Sequence, residues 1–385
     1  MLIHGIRSYC MKTASVLISF IKKNTVLMSA LALAAATSFQ VHPDREYIQY
    51  FDFKTLTCLF CVLAVVCALK NIRFFTILAE KTVKIFKTTR MCILALVFIT
   101  FVGSMFIAND MALLTFLPLG YTALDCAGRK NYVAFTFIMQ NIAANLGGML
   151  TPFGNPQNLY LYTRFNITNS EFVHIMFAPF IISIAVITIC CLFVKSEPMV
   201  IRNSAKYRIP AGKVLLYLLL FAFSIAVIFR SIPYYWGLAV IPAVLFLVDK
   251  KALKAVDYPL LLTFAAFFVF AGNMSRIEII RDTLSGLLER NTLLYSILSC
   301  QLISNVPSAV LLSQFTGNYR ELLLGVNIGG VGTVIASLAS LITFKEYLRH
   351  NPGRTWHYLG LFSAFNFVFL IILAVSMQAA ILDMI

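Results

Sequence analysis

The chain has 385 residues, of which 60% are hydrophobic and 12% charged, with 34 Phe. A soluble domain carries about a quarter charged residues, so this composition describes a polytopic membrane protein with no room for a separate soluble domain. The formal net charge of +15 comes from Lys and Arg in short segments between apolar runs, which is the positive-inside pattern and excludes a basic nucleic-acid surface.

In chain order, Arg7, Lys12, Lys22 and Lys23 precede the run "NTVLMSALALAAATSF". The run has the build of a signal peptide, but in a polytopic chain it is expected to be a retained first span, oriented by those charges. Apolar segments follow from 24–40 and 51–69 through 91–107, 110–124, 131–163, 171–194, 213–229, 232–249, 257–272, 292–303, 306–316, 322–345 and 355–382. The pairs 91–107 with 110–124 and 292–303 with 306–316 have short arms and almost no polar linker. Both are read as re-entrant hairpins, which the bilayer tolerates only where the turn is buried in protein or lines a cavity. About nine crossings remain.

With the N-terminus in the cytoplasm, segments on that side hold 23 of the 31 Lys and Arg, outside segments hold seven, and Lys54 lies within a span. The C-terminus then falls outside, the first hairpin opens to the cytoplasm and the second opens outward. "FFTILAEKTVKIF" (74–86) and "RIEIIRDTLSGLLER" (276–290) read as interfacial helices on opposite faces.

The chain contains a weak internal repeat. "IAND" (107–110) matches "ISNV" (303–306), and "NLGGMLTPFGNPQNLYLY" (145–162) matches "NIGGVGTVIASLASLITF" (327–344) without a gap. Upstream, "DFKTL" (52–56) faces "DYPLL" (257–261). The first copy starts outside and the second inside, so the repeat is inverted, as in secondary transporters. The expected fold is therefore an all-α polytopic membrane protein of two inverted-topology repeats, each with a re-entrant hairpin and a broken transmembrane helix. A single domain, 1–385, would divide into a first repeat at 51–194, a loop and linking helices at 195–256, and a second repeat at 257–385.

The breaks carry the chemistry. Pro152 and Pro156 remove backbone donors, and Gly147, Gly148 and Gly154 allow turns closed to other residues. Freed carbonyls can coordinate Na⁺ and half-helix N-termini attract anions, while Asn155, Gln157 and Asn158 can donate or accept. In the second copy Gly329, Gly330 and Gly332 make the break, with Thr333, Ser337 and Ser340 supplying hydroxyls. Asp110, beside Asn109 at the first tip, is an ionisable residue at expected bilayer depth, which marks an ion pathway. The second tip has Ser304 and Asn305 and no acid. The Cys58-x-x-Cys61 pair lies inside a span and reads as small apolar residues, and the scattered His form no metal motif.

These residues resemble the ion transporter superfamily, in the citrate-transporter-like group that includes divalent anion–sodium symporters, arsenite permeases and some sodium/proton antiporters. The resemblance covers about residues 20–385. Carboxylate symporters of that group carry Ser-Asn-Thr at both hairpin tips; the same positions here read Ala108-Asn109-Asp110 and Ser304-Asn305-Val306. Gly154-Asn155-Pro156-Gln157-Asn158 is similar to their break after the first hairpin. The Ala-Asn-Asp tip, and Asn305-Val306-Pro307 followed by "GTVIASLASL", look more like the arsenite-permease branch.

The resemblance implies a homodimer moving its substrate by an elevator motion. The residues and the resemblance together lead to a secondary active transporter of a small anion, a di- or tricarboxylate or an oxyanion such as arsenite, in the cytoplasmic membrane. Asn109, Asp110, Gly154, Asn155 and Asn158 would form one half-site, and Ser304, Asn305, Thr333, Ala336 and Ser337 the other. No cofactor is expected beyond Na⁺ or H⁺ as coupling ion, and no enzymatic activity. The alternatives are a cation/proton antiporter of the same superfamily and an anion channel.

Overall fold

The structure is a computed structural model in which residues 24–83, 85–199 and 210–382 are described. Arg7, Lys12, Lys22 and Lys23, on which the orientation of the first span was argued, lie outside the described residues, as does the middle of the 195–213 basic segment. Each apolar segment expected from the sequence is helical. Among the described residues, β-pairing is confined to one Thr88–Pro198 bridge.

Numbering the principal helices in chain order, α1 spans Thr25–Gln40, α2 Phe53–Asn71 and α3 Phe74–Val83. The first hairpin is α4 (Thr89–Ile107) and α5 (Asn109–Cys126). The first broken helix is α6 (Val133–Gly147) and α7 (Pro156–Arg164), and α8 (Asn169–Leu192) follows it. The linking helices are α9 (Ala211–Ile228) and α10 (Tyr234–Val248). The same order then returns: α11 (Tyr258–Ser275), the surface helix α12 (Glu278–Arg290), the second hairpin α13 (Thr292–Ile303) and α14 (Asn305–Leu312), the second broken helix α15 (Tyr319–Ile328) and α16 (Leu338–His350), and α17 (Thr355–Leu382).

Among the described residues, seven helices are long and apolar enough to cross a membrane alone, and α4 is one of them. The crossings expected beyond these are α1 and α10, of 16 and 15 residues, and the second broken helix, whose halves are each too short to span. Length alone therefore does not mark α4 as a hairpin arm. Its end does: after α4 the chain turns at Ala108 and starts α5 at once, and the tip is tied by Asn109 Nδ2 to Asn145 Oδ1, within the length of α6.

Matched positions in the two halves do the same local work. Asp52 caps α2 by accepting Thr55 N at 2.9 Å, and Asp257 caps α11 by accepting Leu260 N at 3.0 Å. Ala108 and Ser304, at the two tips, hold φ of +62° and +79° with ψ of 150° and 157°. That region is nearly reserved for glycine and costs on the order of 1–3 kcal/mol per residue. The next residue stabilises each turn: Asn109 Oδ1 accepts Asp110 N at 3.0 Å, and Asn305 Oδ1 accepts Val306 N at 2.9 Å. This is a physical reason for Asn at both tips, since its carbonyl satisfies an N–H left orphaned at the helix start.

The halves interlock. The return arm α5 packs on α16 and the return arm α14 on α7, so each hairpin meets the broken helix of the other half. The preceding helices are exchanged as well, α1 lying against α11 and α10 against α2. Gly147 and Gly329 stand at matched positions where a broken helix touches its own hairpin. A Cβ on Gly147 would collide with Phe101 O of α4, and one on Gly329 would lie 2.8 Å from Cys300 Cβ of α13. α6, which is buried on nearly every side, is the centre of this packing.

Candidate functional site

At the first break α6 ends at Gly147, a single 3₁₀ turn covers Gly148–Leu150, and helix resumes at Pro156 behind Asn155. Proline suits that first position because its missing N–H would have had no intrahelical acceptor. The carbonyls freed by the break are met by side-chain amides. Asn158 Nδ2 lies 3.2, 3.3 and 3.4 Å from the carbonyls of Gly148, Met149 and Thr151. Asn155 Nδ2 donates to Asn145 O at 3.2 Å.

The second break uses Gln301 of α13 in the same way. Its Nε2 donates to Gly329 O at 2.9 Å and Val331 O at 3.1 Å, while its Oε1 accepts Thr333 N at 2.8 Å. Gly332 supplies φ +122° for the turn. Matched threonines tie each break to its hairpin: Thr151 Oγ1 donates to Met105 O at 2.7 Å and Thr333 Oγ1 to Gln301 O at 3.3 Å.

Amides continue this network between elements. Asn109 Nδ2 donates to Asn145 Oδ1 at 3.1 Å, and Asn145 Nδ2 to Asn141 O at 3.0 Å. Asn141 Nδ2 reaches Ser340 Oγ at 3.3 Å, and Asn327 Nδ2 donates to Asn158 Oδ1 at 2.6 Å. A buried chain of this kind is rigid when every member is satisfied and costly where one is not.

Both tips and the two restarting half-helices face one cavity of about 460 Å³. Asn109, Asp110, Pro156 and Gln157 line it from the first half, and Ser304, Asn305, Val306, Pro307 and Leu338 from the second. Its remaining wall is mainly apolar, with Leu33 of α1 and Leu260, Phe267 and Phe270 of α11, and includes Thr25, Ser29 and Thr263. Asp110 is the one charged side chain among the described lining residues. Two of the lining residues carry a buried oxygen with no hydrogen-bond partner, Asp110 Oδ1 and Gln157 Oε1, and a third such oxygen, Asn155 Oδ1, lies beside Gly148 at the first break. Leaving such a group unsatisfied costs about 1–3 kcal/mol. A group of unmet oxygen acceptors is suited to a cation or a donor ligand.

Of the ten residues expected at the site, Asn109, Asp110, Ser304 and Asn305 line the cavity. Asn155 stands directly behind Pro156. Asn158 and Thr333 brace the breaks from behind, and Gly154 packs on Gly148 O, where a Cβ would collide. The carbonyl of Ala336 accepts Asn305 N at 2.9 Å and Ser304 Oγ at 3.3 Å, which fastens the second tip to the second break. Ser337 caps α16 through Ser340 N at 3.2 Å. The freed carbonyls are thus largely engaged by amides, and the open acceptors are side-chain oxygens. Asn141, Gln140, whose Nε2 donates to Thr100 Oγ1 at 3.0 Å behind the site, and Gln301 escaped the sequence reading. "QNIAAN" (140–145), amides at helical spacing inside an apolar run, was the available signal for the first two.

A polytopic helical protein whose two hairpins and two broken helices meet at one cavity is a membrane transporter by architecture. The family described as citrate transporter matches residues 15–319, and the chain belongs to that family. An uncharacterized transporter of Methanocaldococcus jannaschii is 32% identical over 305 residues, covering 78% of this chain and 82% of that protein. The inner membrane protein YbiR of Escherichia coli is 30% identical over 301 residues, covering 75% of this chain and 78% of that protein.

Proposed function

We propose that the chain is a secondary active transporter that moves a small anion by alternating access, coupled to Na⁺ or H⁺. The anion is a di- or tricarboxylate, or an inorganic oxyanion such as arsenite. The observation that carries this reading is the convergence of both tips and both restarts on one cavity in which Asp110 Oδ1 and Gln157 Oε1 lack partners. A Na⁺ or a proton at Asp110 neutralises its carboxylate, which would otherwise repel the anion. Since no Lys or Arg lines the cavity among the described residues, the anion is held by the half-helix N-termini, and by the Na⁺ where that is the bound cation. Asn109, Asn305 and Ser304 supply its polar contacts. Membership of the citrate transporter family supports the anion; the names of the two relatives specify no cargo.

The division at 51–194 and 257–385, a cytoplasmic N-terminus and a homodimer belong to the same proposal. The test is counterflow of labelled citrate, succinate or arsenite in proteoliposomes, with and without Na⁺ and a pH gradient. Saturable, cation-dependent exchange of at least one of them is expected. Asp110, the sole charged residue among the described lining residues, favours a cation/proton antiporter as the second reading. Na⁺ flux driven by a pH gradient with no anion requirement would establish that reading instead.

A further inference from the structure

A second cavity, of about 490 Å³, lies at the opposite end of α7 from the first. Pro156 and Gln157 at the start of α7 line the central cavity, whereas Tyr160, Thr163 and Arg164 further along it line this one. Between the two, the rings of Tyr160 and Phe268 lie 5.6 Å apart and Tyr160 Oη hydrogen-bonds Ser313 Oγ at 2.8 Å. Tyr160 is buried and lines this outer cavity together with Phe268.

Its charged walls are unevenly occupied. Asp52 has both carboxylate oxygens engaged by Thr55, Oδ1 with the backbone N at 2.9 Å and Oδ2 with the hydroxyl at 2.6 Å. Glu46 faces Arg276 at 3.6 Å. The cations are freer. Lys54 has no hydrogen bond or ion pair among the described residues, and Arg164 has a single contact, from Nη2 to Gln314 Oε1 at 3.4 Å.

Lys54 also breaks two rules. It stands in the first turn of α2, where the helix dipole disfavours a cation, and it is the one basic residue that the positive-inside pattern leaves within a span. Neither helix stability nor topology accounts for it.

We propose that this cavity is a second binding site, for a small carboxylate or phosphate-like anion, held between the Lys54 ammonium and the Arg164 guanidinium. Gln314 and Thr163 complete the donor set. An ammonium point charge beside a planar guanidinium fork suits a ligand with two or more anionic oxygens. Binding here does not require that the anion be the cargo of the central cavity. If it is, the site presents it at the far side of the Tyr160–Phe268 layer.

The test is protection of the Lys54 amine. The full chain in detergent is treated with a limiting amine-acetylating reagent, with citrate or inorganic phosphate as probe and chloride as control, and acetylation at Lys54 is read by mass spectrometry. At a probe concentration ten times its Kd, labelling of Lys54 falls about tenfold, while labelling of the exposed Lys213 is unchanged. Arg164→Gln abolishes the protection, and Asn305→Ala or Asp110→Asn, which alter only the central cavity, leave it intact. Absence of protection by both probes overturns the proposal. So does protection that survives Arg164→Gln, or that disappears in the central-cavity variants. Anion counterflow without protection removes this site and leaves the transport reading standing; protection without counterflow does the reverse.

Discussion

Asn327 Nδ2 donates to Asn158 Oδ1 at 2.6 Å, and this bond joins the second broken helix to the first across the centre of the protein. Asn158 meanwhile spends its own amide hydrogens on the carbonyls of the first break. A further bond, from Asn155 Nδ2 to Asn327 Oδ1 at 3.4 Å, closes the loop. Asn327, at the end of α15, is thereby held by the same two amides that satisfy the first break.

Asn158→Ala therefore removes the donor for the first-break carbonyls and the acceptor for Asn327 together. A loss of about 1–3 kcal/mol per group left unsatisfied is expected, measured as a lowered Tm in detergent. Asn158→Asp keeps the acceptor but turns a carboxylate toward those carbonyls, so it should be at least as damaging. A melt unchanged in both variants would mean that the break is held by something else.

The tips invite the opposite experiment. Ala108 and Ser304 hold positive φ without being glycine, so Ala108→Gly and Ser304→Gly should each relieve strain. After the extra chain entropy of glycine in the unfolded state, a net gain of about 1 kcal/mol remains for Ala108→Gly, and less for Ser304→Gly, which also loses the bond from Ser304 Oγ to Ala336 O. Ala108→Val, with a β-branched side chain at the same φ, should destabilise. Thermal unfolding of the three variants decides it, and a fall in Tm for both glycine variants would show that the tips are not strained.

Asp110→Asn preserves shape and removes the one carboxyl among the described residues of the cavity wall. Counterflow should persist weakly or fail, and its dependence on Na⁺ or on pH should flatten. Full retention of both the rate and the ion dependence would take Asp110 out of the coupling mechanism. Gln157→Leu, which deletes the neighbouring unpartnered oxygen, should lower apparent cation affinity in the same assay.

On the surface that carries the outer cavity, Asp44 pairs with Arg276 at 2.8 Å. Hydrogen bonding from that guanidinium holds the Asp44 carboxyl below its ordinary value of 3.8. A depressed folded pKa stabilises the protein above the unfolded value, and the contribution is lost as pH falls through the folded one. The melting temperatures of the native protein and Asp44→Asn should differ slightly at neutral pH and converge below pH 3.8. The pair is exposed, so the gap is expected to be small. A gap that widened in acid would reverse the assignment.

Helix order, both hairpins and both breaks were legible in the sequence because their causes are local. Hydropathy sets which segments enter the bilayer, and the Gly and Pro of "NLGGMLTPFGNPQN" interrupt a helix wherever they stand. The asparagines at the tips could be matched for the same reason. Their task, capping the N–H of the next residue behind a positive-φ turn, could not be read, because neither Ala108 nor Ser304 is of a residue type that announces such a backbone.

Tertiary structure decided where the freed groups find partners. A break releases carbonyls that need donors; the first break finds them in nearby Asn155 and Asn158, while the second takes Gln301 from another helix, and Asn155 also reaches across to the Asn327 side chain. No local pattern encodes a bond between residues so far apart in sequence. Composition and spacing determined that this protein spans a membrane and breaks its helices there. Only the packing of one half against the other decided which oxygens were left unpaired to face the cavity.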